Sequence, residues 1–278
     1  MKSIISNKNC IIHADSESFN RSIEQKIPQI IHQTGPDTIP HQFKSGINKL
    51  KLMNPEYEYL YWKDADIDNY ISLNCSEREQ AAYNSINPAY GPARADFFRY
   101  IIIRDKGGVY LDLKSSAVKP FRQIIKPNDE YLLSSWSSKR NGLFAPQENI
   151  VRTGFGEYCN WFIIGVPNHP FLHATIDRCI TNIENYKLNP DKAQIKRYKY
   201  PHRMVGKTAV LHLTGPIAYT RAIKSILNTS KTSPPHTFKY QHYGGDLLYT
   251  TTAGTLNYLK HADYFKKHYS TLTEPVCL

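Results

Sequence analysis

Three charged side chains in one short stretch have the types and the spacing to grip a phosphate-bearing ligand. In ARADFFRYIIIRDKGGVYLDLKSSAVKP, residues 93–120, Asp96 and Arg99 stand three apart, which on a helix places them on one face. Asp112 follows at the end of the run VYLD. A guanidinium offers a planar fork of N–H donors suited to carboxylate and phosphate oxygens, and carboxylates bind cations or accept from hydroxyls. Such a set works best when rigid elements carry it.

The surrounding residues predict those elements. Ala95, Phe98, Ile102 and Ile103, with Phe97 and Ile101 beside them, have the spacing of a buried helix. Gly107 and Gly108 stop it, and residues 109–113 read as a short strand. Upstream, Ile27 to Gln33 predicts a strand closed by Thr34-Gly35-Pro36, and His41 to Met53 predicts an amphipathic helix that Asn54-Pro55 ends. Glu56 to Trp62 alternates as a strand, Lys63-Asp64 opens a helix through Ile71, and Ser76 caps another through Ser85 with Glu79 at the capping-box position. Strands alternating with helices up to Asp112 are what an α/β nucleotide-binding sheet produces. In such sheets ligands sit beyond the carboxyl ends of the strands, where Asp112 falls.

Beyond that region, Tyr131 to Trp136 reads as a strand, and residues 137–155 as a loop near the acceptor. Phe171 to Tyr186 is a helix with Leu172, Ile176, Cys179, Ile180 and Ile183 on one side, and Lys187 to Arg203 is a basic surface segment. A last helix starts at Thr214-Gly215-Pro216 and continues through Ile226.

A chain of 278 residues suits one large domain, read here as 27–278 after a polar arm over 1–26. A hydrophobic content of 41% makes it globular rather than disordered. The net charge of +11 points to acidic partners such as nucleotide diphosphates, anionic glycans or a membrane face, against the plainer reading of a solvated basic surface. No zinc finger, RNP motif or dense basic arm is present, so nucleic acid is not expected. The five cysteines are scattered without a CxxC, and there is neither a bilayer-spanning apolar run nor a signal-like opening. A cytoplasmic setting is expected, with peripheral membrane association left open.

The pattern A-x-x-D-x-x-R-Y from Ala93 to Tyr100, then the glycine turn, then V-Y-L-D, resembles the DXD-type sugar-binding glycosyltransferases, glycosyltransferase family 32. That family includes the fungal initiating α-1,6-mannosyltransferases, and the clostridial glucosylating toxins are more distantly similar. The resemblance implies a GT-A type α/β fold, a Rossmann-like sheet flanked by helices with C-terminal acceptor-side additions. It implies that Asp96 and Arg99 contact the donor sugar and diphosphate, and that Asp112, after Tyr110, opens the metal-binding motif. An opening I-P-x-I-I-H-Q-T puts His32 and Gln33 at the donor pocket, though a lone histidine is more often packed. N-P-x-Y-E-Y-x-x-W-x-D puts Trp62 against the donor base, with plain core packing as the alternative. N-x-x-I-x-x-x-P-x-H-P makes Asn160 a hydrogen-bonding residue for donor sugar or acceptor, or else a turn asparagine. At Thr214, Gly215 and Pro216 the resemblance implies a helix start that offers backbone N–H groups and a hydroxyl to a ligand or to the diphosphate. Its C-terminal histidine segment makes His242 and Asp246 candidate metal ligands.

One position departs. Where the motif has its second aspartate, this chain has Lys114. The family implies a divalent cation, Mn²⁺ or Mg²⁺, balancing charge on the diphosphate. Either Asp112 still holds that ion with help from the C-terminal part, or the Lys114 ammonium faces the diphosphate itself, or Lys114 simply meets solvent. The expected function is transfer of a sugar from a nucleotide diphosphate donor to a hydroxyl of a glycan, polysaccharide or lipid-linked acceptor, with retention implied by the family alone. The rivals are a non-catalytic nucleotide-sugar or glycan-binding protein with a decayed metal site, and a nucleotidyltransferase that releases pyrophosphate.

Overall fold

The computed structural model describes residues 25–134, 157–188, 205–229, 241–242, 247–248 and 271–278, and the structural statements below concern these. In chain order the opening elements are β1 (Ile30–Thr34), α1 (His41–Met53), β2 (Glu58–Trp62), α2 (Asp64–Asn74), α3 (Glu77–Ser85), α4 (Gly91–Lys106) and β3 (Gly108–Leu111). They are followed by β4 (Ser116–Ala117), α5 (Phe121–Ile124), β5 (Tyr131–Leu133), β6 (Phe162–Gly165) and α6 (Pro170–Leu188). α7 (Gly206–Leu213), α8 (Pro216–Thr229), β7 (Gln241–His242) and β8 (Leu247–Leu248) complete the set.

The main sheet has the order β2-β1-β3-β6-β5-β7, and β4 pairs with β8 separately. β1 lies parallel to β2 and to β3, with Ile31 opposite both Tyr59 and Val109. Parallel neighbours require long crossovers, which α1 supplies on one side and α2 to α4 on the other. β6 runs antiparallel to β3, with Leu111 opposite Phe162. The start of β6 therefore lies at the same end of the sheet as the close of β1, β2 and β3. Chain segments bearing Thr34, Trp62, Asp112 and Asn160 meet at that end.

α4 is the core of the fold. Every residue from Asp96 to Ile103 is buried, including the two charged ones. The sequence predicts a buried helix, and from Asp96 to Ile103 this one is enclosed all round, the environment of a central helix. α6 packs against it, and α8 packs against α6. Because α4 descends toward Gly107 and β3 then returns parallel to β1, its first turns stand beside the carboxyl end of β3.

Local signals explain the boundaries. Ser76 N–H donates to Glu79 Oε2 at 2.8 Å, and the Ser76 hydroxyl accepts from Glu79 N–H, so the expected capping box forms. Glu79 also pairs with Arg104 of α4, tying α3 to the central helix. β1 starts at Ile30 rather than Ile27, because Pro28 has no N–H for a ladder and its carbonyl accepts from Ile30 N–H in a tight turn. β3 ends at Leu111, one residue before a turn closed by Ser115 N–H on the Asp112 carbonyl at 2.7 Å. Residues 206–213, which sequence left without an assigned element, form α7. The C-terminal residues return to the α3–α4 connection, where Asn87 N–H donates to the Val276 carbonyl and Tyr90 Oη to that of Glu274. The expected arm lies, up to residue 24, outside the described residues, and Lys26 is already joined to Glu130 at 2.6 Å. The expected loop over 137–155 and nearly all of the basic segment over 187–203 also fall outside them. No helix among the described residues is long and apolar enough to cross a membrane.

The join between α4 and β3 is steric. Gly107 has φ +67° and Gly108 φ +96°, and a Cβ on Gly108 would stand 2.5 Å from the Ile30 carbonyl oxygen. Gly108→Ala is expected to cost roughly 2–3 kcal/mol through left-handed strain and backbone overlap. Urea unfolding checks this; an unchanged midpoint would show that β1 and β3 are not in this close contact.

Candidate active site

Arg99 gathers the site. Its Nη2 lies 3.0 Å from Asp96 Oδ1 and 3.0 Å from Asp112 Oδ1, so one guanidinium bridges a helix carboxylate and a strand-end carboxylate. Its Nη1 donates to the Asn160 carbonyl at 2.5 Å and its Nε to that of Ala95 at 3.3 Å. The guanidinium carbon stands 4.7 Å from the centre of the Tyr110 ring, a cation–π contact. Asp96, Arg99, Tyr110, Asp112 and Asn160, singled out from sequence, thus form one constellation. The flanking acids hold the arginine firmly in its cationic form despite its burial.

Within it exposure is unequal. The side chains of Asp96 and Arg99 are 9% and 6% exposed, while that of Asp112 is 21% exposed. Asp112 is therefore the carboxylate an incoming ligand meets first, and the other two stand behind it. Its backbone is braced as well: its N–H donates to the Trp161 carbonyl at 2.8 Å, and Gln33 Nε2 donates to its carbonyl at 3.2 Å. Gln33 in turn accepts from Tyr59 Oη at 2.8 Å.

Behind Asp96 lies a wholly buried polar shell. Asn160 Nδ2 donates to Asp96 Oδ1 at 3.1 Å and to Tyr100 Oη at 2.9 Å, and Tyr100 Oη donates to the Thr214 carbonyl at 2.9 Å. The Thr214 hydroxyl donates to Asp96 Oδ2 at 3.4 Å. Tyr100 escaped the sequence reading, although its place four residues after Asp96 puts it on the same helical face. Thr34 also escaped it; its hydroxyl shares a 2.8 Å hydrogen bond with Tyr110 Oη and fixes the ring beneath Arg99.

Several expectations need correction. His32 is fully buried, donating from Nε2 to the Gly107 carbonyl and accepting from Trp62 Nε1 at Nδ1, both at 3.1 Å. Burial lowers its pKa to about 4, so it is a neutral core histidine rather than a lining residue of the donor pocket. Trp62 spends its indole N–H on His32 and packs edge-on against Tyr70 and Phe98, which makes it a pillar of the sheet edge. A cavity of about 260 Å³ opens beside it, bordered by Asp66, Asn69 and Tyr70 but by neither Arg99 nor Asp112. Thr214 and Gly215 both donate their N–H groups to the Val210 carbonyl, because α7 runs directly into this corner. Those N–H groups are spent, and Thr214 instead serves Asp96. Pro216, the first residue of α8, has no N–H to offer. His242 lies in β7 with its side chain outside the described residues, and Asp246 falls outside them altogether.

Two effects compete at Asp96. Burial pushes its carboxyl up to about 6, against the pull of Arg99 and the donors from Thr214 and Asn160. The native state then keeps a proton between about pH 4 and 6 that the unfolded chain has released. That contribution is complete below about pH 4 and is lost as pH rises through about 6. The stability of the protein minus that of an Asp96→Asn variant should therefore fall across this window, by at most about 1.4 kcal/mol per pH unit, and level off above it. Urea unfolding of both proteins from pH 4 to 8 measures this, and a difference that rises instead would mean that the ion pair outweighs burial.

The stretch that carries this constellation is similar to known proteins. Residues 40–132 match the family described as the glycosyltransferase sugar-binding region containing DXD motif. Over 228 residues the chain is 25% identical to the initiation-specific alpha-1,6-mannosyltransferase of Schizosaccharomyces pombe, covering 78% of this chain and 53% of that protein. Over 175 residues it is 32% identical to the mannosyl phosphorylinositol ceramide synthase CSH1 of Saccharomyces cerevisiae, covering 63% of this chain and 40% of that one. The chain spans about half the length, or less, of these curated relatives. Among solved structures, the UDP-bound glycosyltransferase domain of the YGT toxin aligns with a TM-score of 0.53 at 10% identity, covering 82% of each chain, which shows a shared GT-A fold. The Asp96–Arg99–Asp112 bridge falls inside the stretch that is similar to the glycosyltransferase sugar-binding region containing DXD motif, and Lys114 follows Asp112 by two residues within that same stretch.

Proposed function

We propose that this protein transfers a sugar, mannose by analogy with its relatives, from a nucleotide diphosphate donor to a hydroxyl of a glycan or lipid-linked acceptor. The observation that carries this reading is the guanidinium of Arg99 held between Asp96 and Asp112 at the carboxyl ends of β1 to β3. Ligands of open α/β sheets bind at that end. Asp112, the more exposed carboxylate, accepts from donor hydroxyls, and Arg99, fixed from behind, holds that carboxylate in place. Because Arg99 is already held by Asp96, Asn160 and Tyr110, it loses little freedom when the donor arrives, which is how a preorganised site concentrates its effect on the transition state. Retention of anomeric configuration and a lipid-linked acceptor extend the proposal by analogy with the relatives.

A non-catalytic donor-binding protein is the second reading, favoured by Lys114 in place of an acidic metal ligand. The two separate on turnover. Incubated with a panel of nucleotide sugars that includes GDP-mannose and UDP-hexoses, the protein should release nucleoside diphosphate, and Asp112→Asn should slow that release by about 10²-fold or more. Tight donor binding with no release would favour the binding module, and release of pyrophosphate from nucleoside triphosphates would identify a nucleotidyltransferase.

A further inference from the structure

The DXD motif implies a divalent cation, and the described residues do not fit one. Mg²⁺ and Mn²⁺ take oxygen donors in near-octahedral arrangements. Of the motif's two acids only Asp112 remains, and its Oδ1 is engaged by Arg99 at 3.0 Å. Lys114 stands two residues on, half-buried in the turn that Ser115 N–H closes on the Asp112 carbonyl. An ammonium there opposes a dication. Among the described residues no group of three His, Cys, Asp or Glu could hold a metal ion.

The charge inventory makes the same point. Two carboxylates and one guanidinium leave the Asp96–Arg99–Asp112 cluster with one net negative charge, a poor host for a diphosphate. The Arg99 donors are already divided among Asp96, Asp112 and two backbone carbonyls. A further positive charge is needed beside Asp112, and Lys114, two residues along the chain in the turn after β3, carries one.

We propose that Lys114 takes the place of the divalent cation: its ammonium pairs with the donor diphosphate, and sugar transfer proceeds without metal. This rests on the glycosyltransferase reading above. In the step, the bond from the anomeric carbon to the β-phosphate oxygen breaks and its electron pair stays on that oxygen. The acceptor hydroxyl oxygen bonds to the anomeric carbon, and its proton passes to the departing phosphate. Negative charge therefore grows on the diphosphate, where the Lys114 ammonium meets it without itself gaining or losing a proton.

The test measures nucleoside diphosphate release from the donor panel after exhaustive EDTA treatment, with and without added Mn²⁺, for the native protein, Lys114→Ala and Lys114→Asp. The native rate should be the same within about twofold with or without metal, and Lys114→Ala should fall on the order of 10²-fold. Lys114→Asp should gain Mn²⁺ binding that the native protein lacks, read directly by the electron paramagnetic resonance signal of free Mn²⁺. Activity lost to EDTA and restored by Mn²⁺ would overturn the proposal while leaving the glycosyltransferase reading intact, as would Lys114→Ala turning over like the native protein. If no donor is cleaved under any condition, that reading falls. Calorimetry of GDP and UDP in EDTA still decides the role of Lys114: an affinity about tenfold weaker in Lys114→Ala supports it, and equal affinities sink it.

Discussion

One buried guanidinium sets the terms for the rest of the chain. Arg99 is taken out of water on the central helix, and an unpaired charge there would cost several kcal/mol. Asp96 one turn earlier and Asp112 at the end of β3 answer that cost only if α4 and β3 are held in a fixed relation. Much of the architecture serves that relation: the two glycines that let β3 leave α4 against β1, the antiparallel β6 that brings Asn160 alongside, and α7 and α8, whose junction delivers Thr214 to Asp96. The site and the core are thus one structure. Asp112 faces solvent with a rigid charged backing, so a ligand meets a surface already arranged for it.

The polar shell behind Asp96 has a second consequence. Asn160, Tyr100 and Thr214 come from three distant parts of the chain, and each satisfies a group that would otherwise be buried without a partner. Such a network is useful only when complete. It therefore couples the packing of α6 to α8, the C-terminal half of the described fold, to the orientation of a carboxylate that contacts the site's arginine. Changes well away from Arg99 can reach it through this shell.

Much of this was legible in the sequence where local physics decides. The spacing of Asp96 and Arg99, the double glycine, the capping box at Ser76 and the extent of α1 each follow from short-range rules, and each appears as read. What sequence could not show was the partner of a polar group. The family resemblance put His32 and Trp62 at the donor, with core packing as the alternative for each. They prove to satisfy one another, a pairing set by the parallel register of β1 and β2. Thr214-Gly215-Pro216 looked like an open helix start, but the preceding residues form α7 and consume the N–H groups. Tyr100 went unnoticed because an aromatic on a buried helix reads as packing until its hydroxyl is seen to join Asn160 and Thr214.

The most direct test of the account is a crystal structure of the protein with a bound nucleoside diphosphate sugar. The sugar and diphosphate should lie against Asp112 at the carboxyl ends of β1 to β3, within hydrogen-bond reach of that carboxylate, with Arg99 still bridging Asp96 and Asp112. A donor seated elsewhere, for instance in the cavity beside Trp62, with the Arg99 cluster sealed beneath packed side chains, would contradict it.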